Sequence, residues 1–355
     1  MSAAPTLCVG ITGLNAKPEN PGPGLAVARS LREALGDTVR IVGLSYDVLD
    51  AGLYLTEYCD AAYLLPYPSA GEDQLMQRIH YIQQQENMDM MIPCLDAELL
   101  SFTRLQTAFE DLGIRMLLPD REQLLRRNKD RLGELAEQAD IRYPESKNIS
   151  NTAFFYQCHE QGWRYPMVVK GLFYDATVVH NAEQGAAAFQ CIAADWGLPV
   201  LVQRYAKGHE VNLVALGDGQ GNMLGAVMMR KQAVTDKGKA WAAITIEDPN
   251  LHETARKLVQ ALRWSGPLEV EILKDEGGQY LLIEINPRFP AWVYLATAAG
   301  VNLPAALVSI LQDKTPDLGT AAVGRLMIRY AQETVIDLAT FESMAIAGMH
   351  LADKE

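Results

Sequence analysis

Residues 268–288, LEVEILKDEGGQYLLIEINPR, admit few structures. Two apolar-rich runs carry polar residues at alternate positions and flank DEGG, a cluster of turn formers. That pattern predicts an antiparallel β-hairpin. Side chains alternate faces along a strand, so Glu284, Asn286 and Arg288 share one face. With DEGG as a four-residue loop, Lys274 pairs with Gln279, Glu269 stands opposite Glu284 and Glu271 stands opposite Leu282. Directly opposite residues share a face. Glu269, Glu271, Glu284, Asn286 and Arg288 then converge on one surface, unless a one-residue bulge carries the first two away. Three carboxylates so placed repel one another and resist desolvation, and something must offset that cost. Carboxylates and an amide are hard oxygen ligands that suit Mg²⁺, which binds one or two carboxylates together with substrate phosphates. Arg288 adds a planar donor suited to phosphate or carboxylate. The competing reading is a solvated sheet face with surface ion pairs, but Pro287 and the following FPAW do not look like a plain exposed edge.

The text on either side differs in kind. LCVGITGL (7–14) reads as a strand entering a glycine-bearing loop, NAKPENPGPG as turn chemistry, and LAVARSLREALG (25–36) as a helix capped by glycine. VRIVGLS (39–45), AYLLPYP, the helix around GEDQLMQRIHYIQQQ and MDMMIPCLDAELLSF continue the alternation of strand and helix. This predicts a parallel α/β domain with right-handed crossovers. From about residue 119 the pattern becomes α+β. DREQLLRRNKDRLGELAEQADI is helical, as one helix or two, and YPMVVKGLFYDATVVH (165–180) is a hairpin. AEQGAAAFQCIAADWG is a helix, residues 200–231 are three strands, and HETARKLVQALRW (252–264) is a helix. Helical text from Leu303 is expected to close the chain.

The chain has 355 residues, enough for two or three domains, and a net charge of −13 that argues against a nucleic-acid binder. It leaves room for a small anion in a local basic pocket. No apolar run is long enough for a membrane span, and MSAAPTLCVGITG has no basic region followed by an apolar core, so neither a membrane nor a secretion signal is expected. Five scattered cysteines without a CxxC pair indicate neither zinc nor a disulfide framework, which favours a cytoplasmic location.

The hairpin resembles the metal-binding signature of the ATP-grasp superfamily, close to the carbamoyl-phosphate-synthase large-subunit-like ligases. Glu271 matches the first metal ligand, and Glu284, Asn286 and Arg288 match the E-x-N-x-R that comes next. The resemblance implies a pre-ATP-grasp α/β domain over 1–118, an ATP-grasp small lobe over 119–202 and a C-terminal lobe with the metal site over 203–355. PMVVKGLF resembles the strand whose lysine, here Lys170, contacts ATP phosphates. NKDRL makes Lys129 a second phosphate candidate, and a solvated helix lysine is an equal reading of it. VLVQRYAKGHEV resembles the adenine-holding hinge, with backbone groups near Gln203, Arg204 and Tyr205 on the adenine edge and Glu210 on the ribose. Asp96 and Glu98 lie beyond a strand's carboxyl end, where ligands bind in open sheets, although helix capping is the favoured reading.

The resemblance also implies an activity, that of a carboxylate–amine ligase working through an acyl phosphate. Such an enzyme would use ATP and Mg²⁺, with Mn²⁺ as an alternative ion. A small-molecule or peptide carboxylate and an amine acceptor would be its substrates, and a homodimer is allowed. Arg288 and Asn286 would be catalytic; Glu271, Glu284 and Asn286 would hold the metal. One departure matters: KGLFYDATVV carries one glycine, Gly171, where the family has a Gly-rich loop, and Asp175 and Thr177 would lie at its tip. That departure supports the rival reading, an ATP-binding module without ligase activity. A dinucleotide-dependent oxidoreductase is weaker, because GITGLNAKPENPGPG is not G-x-G-x-x-G.

Overall fold

The computed structural model describes residues 6–172 and 175–351, which form three sheets. The first is built from β1 (Leu7–Ile11), β2 (Val39–Ser45), β3 (Ala61–Leu64) and β4 (Met90–Ile92), all parallel, with the order β3-β2-β1-β4. The helix Gly24–Leu35 follows β1 and ends on Gly36, whose φ of 55° is the left-handed geometry expected of a glycine cap. Its start is equally constrained. A Cβ on Gly24 would stand 2.1 Å from the Thr12 carbonyl oxygen, so this turn admits only glycine.

The second sheet is β5 (Ser146–Ile149), β6 (Met167–Lys170), β7 (Ala176–Val179) and β8 (Val200–Arg204), antiparallel in the order β5-β8-β6-β7. The polar stretch after residue 119 resolves into two helices, Arg121–Arg126 and Leu132–Gln138, and Asp120 caps the first by accepting from the Gln123 N–H at 2.8 Å.

The third sheet holds β9 (Gly208–Asp218), β10 (Met223–Val234), β11 (Ala240–Ile246), β12 (Ser265–Asp275), β13 (Tyr280–Asn286) and β14 (Leu326–Ile328). It is antiparallel in the order β13-β12-β9-β10-β11-β14. One face carries Val211, Leu213, Val270, Ile272, Leu282 and Ile285, fully buried with Leu251, Ala255, Leu258 and Leu262 of the helix Pro249–Leu262. Burying such side chains stabilises by ~1.5–3 kcal/mol each. The intervening residues face the other way, where Val214, Val227 and Met229 join a second core with Phe289 and Trp292 and the polar side chains of the strands share that face.

Two expectations are corrected. The hairpin loop is three residues, Glu276–Gly278, closed by the Asp275 N–H donating to the Gln279 carbonyl, with Gly278 at φ 76°. Lys274 therefore pairs with Tyr280, and a bulge at Ile283 then sets Glu271 opposite Glu284 and Glu269 opposite Asn286. The two one-residue slips add to two, which restores the parity of faces. The bulge also lets Leu282 enter the core while Glu284, two residues on, faces away. Secondly, the helix Leu303–Leu311 does not close the chain. Beyond it lie β14, the helix Leu338–Ala347 and β15 (Met349–Leu351), which pairs antiparallel with β3 of the first sheet. Among the described residues no helix is long and apolar enough to cross a membrane.

Candidate functional site

The polar face of β9, β10, β12 and β13 carries Glu210, Asn212, Lys231, Glu269, Glu271, Glu284 and Asn286, brought together by the cross-strand register. The Asn286 amide donates to Glu269 Oε2 at 3.0 Å and to Glu271 Oε1 at 2.9 Å, bridging two carboxylates that otherwise repel. Glu269, the deeper one, also accepts from Asn212 Nδ2 at 2.8 Å and Trp292 Nε1 at 2.6 Å. Burial, and then the Glu271 charge, push its carboxyl above the usual range. Glu271 goes the other way. Burial would raise it, but the Lys231 and Lys239 ammoniums and hydrogen bonds from Lys231 and Asn286 hold it at about 2.

Two lysines reach this face from other elements. Lys129 lies not on a helix but in the turn between Arg121–Arg126 and Leu132–Gln138, with Nζ 3.2 Å from Glu284 Oε1. Lys170 ends β6 and is 8% exposed. Burial and then the Lys129 charge lower its ammonium to about 8, against the opposing pull of Glu284, Glu271 and Glu210.

Arg288 leaves the end of β13 and reaches the first sheet. Its Nε donates to Asp96 Oδ2 at 2.8 Å, Nη1 to the Phe289 carbonyl at 3.2 Å and Nη2 to Asn286 Oδ1 at 3.4 Å, while Nη1 stands 3.8 Å from Glu269 Oε2. Burial raises the Asp96 carboxyl, but Arg288 and Arg127 outweigh it and the group is lowered. Glu98 is different. It caps the helix Asp96–Arg104 from inside, accepting from the Cys94 and Leu95 N–H groups at 2.9 and 3.0 Å and from Tyr46 and Thr12. The capping reading thus describes Glu98, while Asp96 is turned to Arg288 and Arg127.

The hinge residues are not drawn into the carboxylate cluster. β8 is flanked by β5 and β6 at Gln203, and the Arg204 N–H donates to the Glu145 carbonyl, so the ladder occupies both residues and only Tyr205 lies beyond it. The Arg204 guanidinium pairs with Glu145 and stacks 4.8 Å over the Trp163 ring. Glu210, on β9, does face the cluster and binds Lys231. In the glycine-poor loop, Asp175 adopts φ 65° and accepts from Trp196 Nε1 at 2.8 Å and Lys237 Nζ at 3.2 Å. Thr177 is exposed on β7, and Phe173 and Tyr174 of the same loop lie outside the described residues.

Sequence reasoning passed over Lys231, Lys239, Asn212 and Arg127. The alternation Val227, Met229, Lys231 marks a common face on β10, but it points at the cluster only once β10 is known to lie beside β9. Asn212 Oδ1 is buried and has no hydrogen-bond partner among the described residues, beside Glu269 and Glu271. Among the described residues no group of three or more His, Cys, Asp or Glu side chains is gathered at metal-ligand spacing. Glu271 and Glu284 are direct cross-strand neighbours, however, each held by a lysine, and Asn212, with its orphaned amide oxygen, is the cross-strand neighbour of Glu271 on the other side. This donor set is all hard oxygen and fits a divalent ion such as Mg²⁺ once the lysines turn elsewhere.

A family model described as ATP-grasp in the biosynthetic pathway with Ter operon matches residues 198–334. Among curated proteins, the chain is 24% identical over 208 residues to the carbamoyl phosphate synthase large chain of Clostridium botulinum (strain Alaska E43 / Type E3), covering 54% of this chain and 19% of that one. It is 29% identical over 147 residues to acetyl-CoA carboxylase 2 of Oryza sativa subsp. japonica, covering 37% of this chain and 6% of the relative. The chain thus spans less than a fifth of the length of either relative. Among solved structures, an L-amino acid ligase from Bacillus licheniformis is similar with a TM-score of 0.64 at 16% identity, over 86% of this chain and 74% of that one. The biotin carboxylase domain dimer of Hydrogenobacter thermophilus 2-oxoglutarate carboxylase, in complex with MgADP, ADP and bicarbonate, gives a TM-score of 0.65 at 17% identity, over 90% and 72%. At these identities the structural likeness is one of fold.

Proposed function

We propose, from the premise that this chain carries an ATP-grasp domain similar to that of the carbamoyl phosphate synthase large chain, that it is an ATP- and Mg²⁺-dependent carboxylate–amine ligase. One observation carries the reading. The β12–β13 hairpin turns Glu269, Glu271, Glu284 and Asn286 to one face, where Lys129 and Lys170 arrive from two other elements and Arg288 leads to the first sheet.

In this reading Lys129 and Lys170 bind the ATP phosphates. Glu271, Glu284 and Asn286 hold Mg²⁺, whose chemistry when bound is to neutralise charge on the phosphate oxygens. The backbone at Tyr205 meets the adenine edge, and Glu210 the ribose. A substrate carboxylate oxygen attacks the γ-phosphorus, the bond to the ADP oxygen breaks, and ADP leaves. Arg288 orients the resulting acyl phosphate. An amine then attacks the acyl carbon, the C–O bond to phosphate breaks, and the amine gives up a proton. No protein nucleophile is needed, because the chain's work is to position and to compensate charge. The substrates are small-molecule or peptide carboxylates and amines.

The test is an ADP-release screen against amino acids, dipeptides and ammonia, with mass detection of products, beside calorimetry with ATP and NADH with and without Mg²⁺. The expected result is Mg²⁺-dependent ATP binding, ADP release that needs both substrates, and no NADH binding. Tight NADH binding with silent ATP overturns the reading. A second reading, an ATP-binding module without ligase activity, is favoured by the single glycine after Lys170. It predicts ATP binding with no substrate-dependent ADP release.

The Lys170 ammonium sets a pH dependence. Phosphate binding requires it charged, and its folded value of about 8 lies below the ordinary 10.5. MgATP affinity should therefore weaken above pH 8, approaching about tenfold per pH unit. Stability moves the other way. Between the folded and unfolded values the unfolded chain holds the extra proton, so this group's contribution to stability rises with pH across that window. Calorimetry and melting from about pH 7 to 9.5 should show these opposite trends, and Lys170→Met should flatten both. A wild-type affinity that stays constant over the range refutes the assignment.

A further inference from the structure

Lys231 is 9% exposed at its side chain, and its ammonium lies among three oxygen groups: the Glu210 carboxylate, Glu271 Oε2 at 3.3 Å and the Gly238 carbonyl at 3.1 Å. Two carboxylates and a carbonyl make a hard oxygen set of the kind that holds a cation. Without that ammonium, Glu271 would keep the Asn286 amide as its hydrogen-bond donor and the Lys239 charge to offset the Glu269 carboxylate beside it. We propose that Lys231 is an internal counter-ion of the carboxylate wall, which holds Glu271 in the nucleotide-free protein and must release it before that carboxylate can take a divalent ion. This rests on the reading of Glu271 as a metal ligand.

The surroundings allow such an exchange. Released from Glu271, the ammonium keeps Glu210 and the Gly238 carbonyl, so its charge stays compensated. The lysine stem is flexible and its head a compact point charge, suited to moving between neighbouring acceptors. Gly238 belongs to the turn between β10 and β11, which Lys237 fastens to Asp175 and Thr235 fastens to the Glu19 carbonyl at 3.0 Å. The ammonium is thus anchored on a turn held from two sides, and Glu271 is the contact it can give up at least cost. A lysine present only to bind phosphate would not need to be bound to two carboxylates beforehand.

The probe is Mn²⁺ alone, titrated by electron paramagnetic resonance into nucleotide-free wild type, Lys231→Met and Lys231→Arg. If the ammonium occupies Glu271 in about nine molecules of ten, removing it should tighten Mn²⁺ binding about tenfold. Lys231→Arg, which keeps the charge, should stay near wild type, and adding Glu271→Gln to Lys231→Met should abolish the gain. Nucleotide-free Lys231→Met should also melt below wild type and recover with Mn²⁺. If Lys231→Met fails to fold, Lys231→Gln, which keeps a polar head without the charge, is titrated in its place with the same expectation. Wild type that binds Mn²⁺ with ATP, beside a Lys231 variant no tighter for Mn²⁺ alone, overturns the inference and leaves the ligase reading standing. Wild type and variant that both ignore Mn²⁺, with or without ATP, overturn the two together.

Discussion

Glu284→Ala should lose turnover by roughly 10³-fold or more while the protein stays folded. Glu284 stands directly across from Glu271, so its loss removes one of the two carboxylates proposed to hold the metal. From sequence alone, deleting one of three convergent carboxylates should relieve repulsion and leave the metal-free protein melting at the same temperature or higher. The structure tempers that expectation. Glu284 is paired with Lys129 at 3.2 Å and its side chain is 27% exposed, so the alanine variant loses a partly solvated ion pair as well as a repulsion. Such pairs contribute about 0–1 kcal/mol, and the melting temperature should hardly change. With the Glu284 contact gone, Lys129 keeps its positive charge for phosphate, so MgATP should still bind, though less tightly. Saturating ADP-release assays and melting curves decide the matter. Full activity would make Glu284 idle, and an unfolded variant would make it structural.

How much the sequence disclosed depended on the range of each interaction. The hairpin was legible because alternation is local and strict, and the shared face of Glu269, Glu271, Glu284 and Asn286 survived a wrong register because two slips restored parity. The bulge itself was not legible. It exists because Leu282 belongs to the core beneath the helix Pro249–Leu262, a contact across the sheet that no local pattern encodes. Lys170 could be found at the end of an apolar strand, whereas Lys231 becomes meaningful only through the β9–β10 pairing. The strands β14 and β15, three residues each, are too short for any periodicity. The partnership of Arg288 with Asp96 spans 192 residues and two sheets, and Asp96 showed itself in sequence only as a residue past a strand end.

That partnership reshapes what Arg288 variants can reveal. Arg288→Ala removes the guanidinium that faces both Asp96 and Glu269, leaving the buried Glu269 without its arginine and the half-buried Asp96 with Arg127 at 3.8 Å as its remaining ion pair among the described residues. Breaking a buried pair in this way costs about 3–5 kcal/mol, so the alanine variant should be markedly less stable, and a loss of activity in it would prove little about chemistry. Arg288→Lys is the informative change. Lysine keeps the positive charge that Asp96 and Glu269 require, so the fold and the MgATP affinity should stay close to wild type. It cannot reproduce the planar fork that spans Asp96, Asn286 and the Phe289 carbonyl at once. If the guanidinium orients the acyl phosphate, its contact forms mostly as the carboxylate attacks, and its loss lowers turnover at saturation rather than ATP binding. We expect kcat of Arg288→Lys to fall about 10²–10³-fold with the KM for ATP changed only a few-fold. The measurement is steady-state ADP release at saturating ATP, paired with MgATP calorimetry and a melting curve on the same preparation. A fully active Arg288→Lys, or one whose ATP binding collapses while turnover at saturation is normal, would show that Arg288 serves the binding of nucleotide or the joining of the sheets, and not the acyl phosphate.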